Sequence, residues 1–290
     1  MKFRGKLVDI GCIQHFTRVI TTISKLAKTC TLRITSHKLY FILTEQVANG
    51  GVRIWCELVQ GNFFDEYDME GVNKEEANEI YLELIPENLA RSLRNVVQLA
   101  KSVKIKLTKK HTPCLTLEIE LPSLTGHSRI VLHDVPVSVI PRRLWGDFEE
   151  PEMPNFDVSI CLPQLKILRN VVDRMKAMSN SVIIAANQNG ELALKVHTDM
   201  VNVTTHFKDL SNPSWSDEHG DGASQKTTVM GSGKSKFAEA KVDIRRFAQF
   251  LAGQQVNPTK VICNIVNEKV IHFFLLHDDL SLQYFIPAVY

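Results

Sequence analysis

IYLELIPENLARSLRNVVQLAKSVKIKLTKK, residues 80–110, holds in one stretch the unit from which this chain is built. Residues 79–85 alternate apolar and other side chains, the period of a half-buried strand. Pro86 then opens a helical segment, where its missing N–H is tolerated. Leu89, Leu93, Val96 and Ala100 recur at spacings of three and four, so residues 86–101 carry one apolar stripe and should lie flat on a sheet. After it, Val103, Ile105 and Leu107 alternate with Lys104, Lys106 and Thr108, which predicts an antiparallel strand with one wet face. The order is strand, proline, basic helix, strand.

The same order returns in SICLPQLKILRNVVDRMK, residues 159–176. LRNVV at 93–97 is repeated at 168–172, and the shared register superposes Arg91 on Lys166, Lys101 on Lys176 and Gln98 on Asp173. In this copy, helix 163–178, the stripe is Leu165, Leu168, Val172 and Met175, with Pro163 in the first turn. Two further segments have helical period: 12–28 through Ile13, Phe16, Ile20, Ile23 and Ala27, and 243–254 through Ile244, Phe247, Ala248 and Leu251. Strand patterns fill most of the remainder, near 3–9, 31–36, 38–43, 52–58, 64–70, 115–121, 128–136, 156–162, 181–187, 192–197, 200–208, 237–243, 259–266, 269–276 and 280–286. Turn signals such as Asn49-Gly50-Gly51 and Gln188-Asn189-Gly190 separate several of them. A strand, a helix and at least three strands therefore occur four times, two per half. A unit that cannot bury its own sheet face implies stacked or ring-like assembly.

Two segments interrupt the pattern. DVPVSVIPRRLWGDFEEPEMPN, residues 134–155, has four prolines and reads as an extended connector between domains 1–133 and 156–290. Residues 209–236 are rich in Ser, Gly, Asp and Lys and read as a flexible insertion in the second domain.

Charge is unevenly distributed. The four helical segments hold 12 basic and 3 acidic residues, a net +9 that leaves −7 for the rest of a chain whose total is +2. Arg18, Lys25 and Lys28 lie on the first, Arg91, Arg94 and Lys101 on the second, Lys166, Arg169, Arg174 and Lys176 on the third, Arg245 and Arg246 on the fourth. Ordinary solvated helix faces would also be charged, but they usually mix signs at i,i+4. The segregation points to one surface facing a polyanion, with phosphate-positioning rather than base-reading contacts. Duplex nucleic acid, bound without sequence preference and with strong salt dependence, is the expected partner.

Other chemistry finds little support. Cys12, Cys30, Cys56, Cys114, Cys161 and Cys263 form no C-x-x-C pair and read as buried thiols of a reducing compartment, cytosol or nucleus. The ten histidines show no metal-ligand spacing, so no metal is expected. Thr228–Ser235 is a near miss to the phosphate-binding loop G-x-x-x-x-G-K-[ST]: Thr228 stands where the first Gly belongs, and a strand rather than a helix follows. No nucleophile elbow occurs, so neither catalysis nor a cofactor is expected; an enzyme using a nucleotide at 228–235 is the rival class. No run reaches the ~18 apolar residues of a membrane span, and MKFRGKLVDIG is too interrupted for a signal peptide.

Antiparallel sheets, paired basic helices, similar halves and a proline-rich connector together resemble DNA sliding clamps of the proliferating-cell-nuclear-antigen type, an α+β fold. MKFR (1–4), LAKTCTLR (26–33), ANGGV (48–52) with WCEL (55–58), HFKDLSNP (206–213), FLAGQQVNPTK (250–260) and SLQYFIPA (281–288) are similar to the Hus-subunit family of the checkpoint clamp, the 9-1-1 complex. Residues 214–236 have no counterpart in that likeness. The resemblance implies a non-catalytic subunit of a heterotrimeric ring in 1:1:1 ratio with two different Rad-type subunits. It further implies loading at DNA damage by a clamp loader, helices lining the hole, a platform role for checkpoint and repair proteins, and residence in the nucleus with a possible cytoplasmic pool. A homotrimeric replication clamp is the nearer alternative. The family's partner-peptide groove maps onto Val137, Ile140, Leu144 and Trp145 in the connector with Ile286 and Pro287 near the end; plain packing of the connector onto its sheet would use the same residues. By the same likeness, strands 103–108 with 115–121, and 181–187, are the expected edges for joining neighbouring subunits.

Overall fold

The computed structural model describes the chain except for residues 45–50, 74–77, 95–98, 123–128 and 214–234. Four β-α-β-β-β repeats follow one another. The first is β1 (Lys2–Leu7), α1 (Ile10–Leu26), β2 (Cys30–Ile34), β3 (Lys38–Thr44) and β4 (Arg53–Val59), followed by β5 (Glu66–Glu70). The second is β6 (Ile80–Leu84), α2 (Pro86–Arg94), β7 (Ser102–Lys109), β8 (Pro113–Leu121) and β9 (Arg129–Val139). A 3-10 segment, Arg142–Phe148, then leads into the third: β10 (Val158–Cys161), α3 (Leu165–Met175), β11 (Ser181–Ala186), β12 (Leu192–His197) and β13 (Asn202–Phe207). The fourth is β14 (Ala238–Asp243), α4 (Ile244–Phe250) with a 3-10 extension Leu251–Val256, β15 (Lys260–Val266), β16 (Val270–His277) and β17 (Leu280–Pro287).

The chain divides into two compact units, one of Met1–Leu43, Trp55–Glu149 and Asp278–Ser281, the other of Thr44–Ile54, Glu150–His277 and Leu282–Tyr290. In the first, strands run in the order β4-β3-β2-β6-β9-β8-β7-β1-β5; in the second, β10-β15-β16-β17 and β13-β12-β11-β14. α1 packs with α2 and α3 with α4. The apolar stripes face the sheets: Ile13, Phe16, Ile20, Ile23, Leu89, Leu93, Leu165, Leu168, Val172, Met175, Ile244 and Phe247 are all buried, while Ala248 is only half-buried. Phe16 meets Phe63 and Phe64 edge-on at 6.1 and 5.7 Å, and Phe250 stacks on Phe273 at 4.4 Å, so aromatic contacts seat α1 and α4. Asp9 caps α1 by accepting from the Cys12 N–H at 2.8 Å, and Asp243 caps α4 through the Arg245 N–H at 2.7 Å. Pro86 is the first residue of α2 as expected, but Pro163 stands two residues ahead of α3 rather than in its first turn.

The expected joining edges are corrected. β7 is paired on both sides, with β1 and β8, and β8 with β7 and β9; β11 lies in register between β12 and β14. The lysines of β7 are the misleading signal. Lys104 and Lys106 reach Glu118 of the neighbouring strand at 3.8 and 2.7 Å, so their charge belongs to the sheet's solvent face and not to an edge.

The true edges differ in how they are protected. β5 is charged, with Glu66 bound to Arg4 and Lys6 and Glu70 to Lys2. The outer side of β14 is covered: the Glu239 carbonyl accepts from the Glu268 N–H and the Lys241 carbonyl from the Val289 N–H. β10 is closed by Asn212, whose amide donates to the Ser159 carbonyl at 2.7 Å. β9 and β13 lack such cover among the described residues. β9 meets β6 only over Val137–Val139, leaving one side of Arg129–Asp134 open, and β13 has β12 as its single neighbour. Ile130 and Leu132, 64% and 59% exposed, stand on that open stretch of β9. Unpaired strand edges of this kind recruit other chains.

Candidate nucleic-acid interface

The amphipathic pattern that buries one stripe of each helix turns its basic residues outward. Arg18, Lys25, Arg91, Arg94, Lys166, Arg169, Arg174 and Arg245 are exposed on the four helices. Lys28 lies two residues beyond α1, Lys176 caps the end of α3, and Lys101 follows α2 at the head of β7; all three are exposed. Gln98 falls outside the described residues, as do residues 228–234 of the phosphate-loop near miss and most of the 209–236 insertion.

These cations are not equally free, and the expectation that acid partners at i+4 are missing is corrected. Glu87 Oε1 lies 3.2 Å from Arg91 Nε and 3.5 Å from an Arg94 guanidinium nitrogen. Asp173 reaches Arg169 Nε at 3.7 Å. Arg245 donates to Asn180 Oδ1 at 3.3 Å. Arg18, Lys28, Lys166, Arg174 and Lys176 make no ion pair or side-chain hydrogen bond among the described residues. The freer charge therefore sits on α1 and α3, and α2 is the most neutralised of the longer helices.

The connector residues divide in a different way. Val137 and Ile140 are buried, and Ile286 of β17 is buried in the second unit beside half-buried Pro287. Leu144 is 41% exposed. Trp145 is half-buried: it stacks on Tyr81 at 4.4 Å, and its Nε1–H donates to the Ile140 carbonyl at 3.1 Å. Phe148 also approaches Tyr81, at 6.2 Å. The Tyr81 ring also meets Arg33, which forks onto both Glu79 oxygens at 2.9 and 2.7 Å. Burial pushes the Glu79 carboxyl up, but the Arg33 hydrogen bond and charge outweigh it and hold it below the usual carboxylate range. Tyr81, Phe148, Arg33 and Glu79 escape sequence reasoning because residues scattered from 33 to 148 meet only in the folded sheet. The available signal is the Trp145/Phe148 spacing of three.

The order of repeats, the paired helices and the two open edges describe a clamp-like chain. A Hus1-like protein family model matches residues 1–290. The chain belongs to the Hus1-like family. It is 57% identical over 289 residues to human checkpoint protein HUS1, covering all of both chains. It is 30% identical over 294 residues to the Drosophila melanogaster checkpoint protein Hus1-like, covering 100% of this chain and 99% of that one. Solved structures agree on the fold: proliferating cellular nuclear antigen from Entamoeba histolytica superposes with TM-score 0.69 at 11% identity over 99% of each chain. The Thermococcus kodakaraensis homologue of that antigen gives 0.67 at 14% identity, covering 98% of this chain and 99% of that one. This Hus1-like chain thus has the α+β sliding-clamp fold and is a checkpoint clamp subunit.

Proposed function

We propose that the chain is one third of a heterotrimeric ring, 1:1:1 with two different Rad-type clamp subunits, that a clamp loader closes around duplex DNA at damage. There it holds checkpoint and repair proteins and catalyses nothing itself. Its two domains, expected at 1–133 and 156–290, are joined by a connector that begins after β9 rather than at residue 134, and its working compartment is the nucleus. The observation that carries this reading is the pair of open edges, β9 in one unit and β13 in the other, since a ring segment needs one joint at each end. Different neighbours are favoured over copies of the chain. Ile130 and Leu132 stand exposed on β9, whereas the exposed residues of β13 are Asn202, Thr204 and His206. Self-pairing would set apolar against polar side chains, and a partner with an apolar edge would fit better.

Duplex contact falls to Arg18, Lys25, Lys28, Arg91, Arg94, Lys101, Lys166, Arg169, Lys176 and Arg245, acting on phosphates and so without sequence preference. Leu144 and the outer face of Trp145 offer the connector's apolar contact to partner peptides. Loading the reconstituted ring onto a nicked circular plasmid tests the topology. The ring should stay on the circle through a high-salt wash and slide off once the plasmid is cut. Equal loss from both forms would rule out encirclement.

A further inference from the structure

A recess lies away from the connector, at the end of β10 beside the segment that closes that edge. Its volume is about 790 Å³, and it lies wholly within the second unit, between the entrance to α3 and the entrance to β15. Leu162, Pro163, Leu165, Pro258 and Val261 form the apolar part of its wall. The polar part is supplied by Gln164, Lys166, Ser211, Gln254, Asn257 and Lys260, with no carboxylate in the lining among the described residues.

These polar side chains are uncommitted. Gln164, Lys166, Ser211, Gln254, Asn257 and Lys260 make no side-chain hydrogen bond or ion pair among the described residues. Elsewhere on the same chain lysines are readily neutralised: Lys106 by Glu118, Lys110 by Asp134, Lys195 by Glu239. A recess with two unpaired ammonium groups, two free side-chain amides of glutamine, one of asparagine and a free hydroxyl has a donor set suited to an anion. Its apolar wall suits the aliphatic neighbours of that anion.

Shape decides the class of ligand. A duplex presents its phosphates on a convex surface and brings no apolar group that could enter behind them. An extended peptide can project one side chain into a recess of this size while laying an apolar residue against Pro163 and Pro258. We propose that this recess is a docking site for an acidic peptide segment of a partner protein, a Glu or Asp carboxylate seated between Lys166 and Lys260. The site is distinct from the connector, and it draws Lys166 from the duplex-facing set, so a peptide carboxylate seated there competes with a phosphate for that ammonium.

Titration of the isotope-labelled full chain tests this. The probes are acetyl-Leu-Glu-Leu-Glu-Leu-amide, its Gln-for-Glu counterpart and a short duplex DNA. The Glu peptide should move the backbone amides of Gln164–Lys166 and of Asn257 and Thr259–Lys260. Its affinity should fall by at least about tenfold in the Lys166→Gln/Lys260→Gln chain, with the melting temperature retained, and by a similar factor for the Gln peptide on the unaltered chain. Three outcomes overturn the proposal: no movement at about 5 mM peptide, equal response to the Gln peptide, or movement by the duplex but not by the Glu peptide. The last would make the recess part of the nucleic-acid face. The wild-type titrations decide the matter even if the double variant fails to fold.

Discussion

Glu87 Oε1 sits 3.2 Å from Arg91 Nε, one helical turn along α2, and the same oxygen reaches Arg94 at 3.5 Å. One carboxylate thus occupies two guanidinium groups on a face otherwise suited to phosphate. In the proposed ring it weakens the grip of α2, and a clamp that slides has use for a weaker grip. Glu87→Gln should strengthen duplex binding by the assembled ring severalfold. It should also steepen the salt dependence by up to about 0.9 in log–log slope for each additional phosphate that α2 engages. An unchanged slope would place α2 away from the duplex.

The unpaired cations give the complementary expectation. Replacing Arg18, Lys28 and Lys176 together by Ala should flatten the slope by up to about 2.7. Replacing Arg169 alone should do less, because Asp173 already shares its charge. The readout is the salt titration itself, with ring assembly checked by mass.

The connector is anchored through Trp145. Trp145→Ala removes both the stack on Tyr81 and the hydrogen bond to the Ile140 carbonyl and should destabilise the chain by about 2 kcal/mol, less than for a fully buried tryptophan. Trp145→Phe keeps a stack and gives up only the hydrogen bond, at about 1 kcal/mol. Denaturant unfolding of the two variants orders them; equal stability would mean that the Tyr81 contact contributes nothing.

Most of the fold is legible in the sequence because period two and period 3.6 survive in nearly every element. Ile80–Leu84 and Val103–Leu107 lie in strands, the stripe of Leu165, Leu168, Val172 and Met175 is buried, and the Pro86 helix start holds. Strand order is beyond its reach. Periodicity tells which face of Val103–Thr108 is wet but not which strands flank it, so β7 and β11 read as edges although, among the described residues, Arg129–Asp134 of β9 and the outer side of β13 are the open stretches. Composition alone reveals the basic residues. Their pairing with Glu87 and Asp173 is also open to inspection at i,i+4, yet the net charge of each helix conceals it.

His272 gives the second unit a pH dependence. It is buried on β16, stacked on Phe285 at 4.3 Å and on Phe156 at 5.5 Å, with Nδ1 3.0 Å from the Asn264 amide. Burial lowers its pKa from 6.5 to about 3. The native chain therefore holds fewer protons than the unfolded one between these values, and stability is lost as pH falls from about 6.5 toward 3. The slope contributed is at most ~1.4 kcal/mol per pH unit. His272→Phe should flatten the decline between pH 7 and pH 5 in thermal melts; an identical decline would show that His272 takes up its proton equally in the folded and unfolded chain.

Gly190 tests the second unit's turn geometry. Its φ of +77° disfavours a side chain, and a Cβ there would collide with the Leu210 carbonyl. Gly190→Ala should lower stability by at least about 2 kcal/mol, measured by denaturant unfolding; a neutral effect would mean that the 187–191 turn can re-form.

Native mass measurement of the chain, alone and with two partner clamp subunits, tests the central claim most directly. The account predicts a monomer at micromolar concentration when the chain is alone, because β9 and β13 present unlike surfaces, and a 1:1:1 complex when both partners are added. Replacing Ile130 and Leu132 by Glu should break the β9 joint alone, so that the subunit pairing with β9 no longer binds the chain in a two-component mixture while the other still does, and leave the monomer folded. A stable homotrimer of the chain alone would contradict the account and assign it to a self-sufficient clamp.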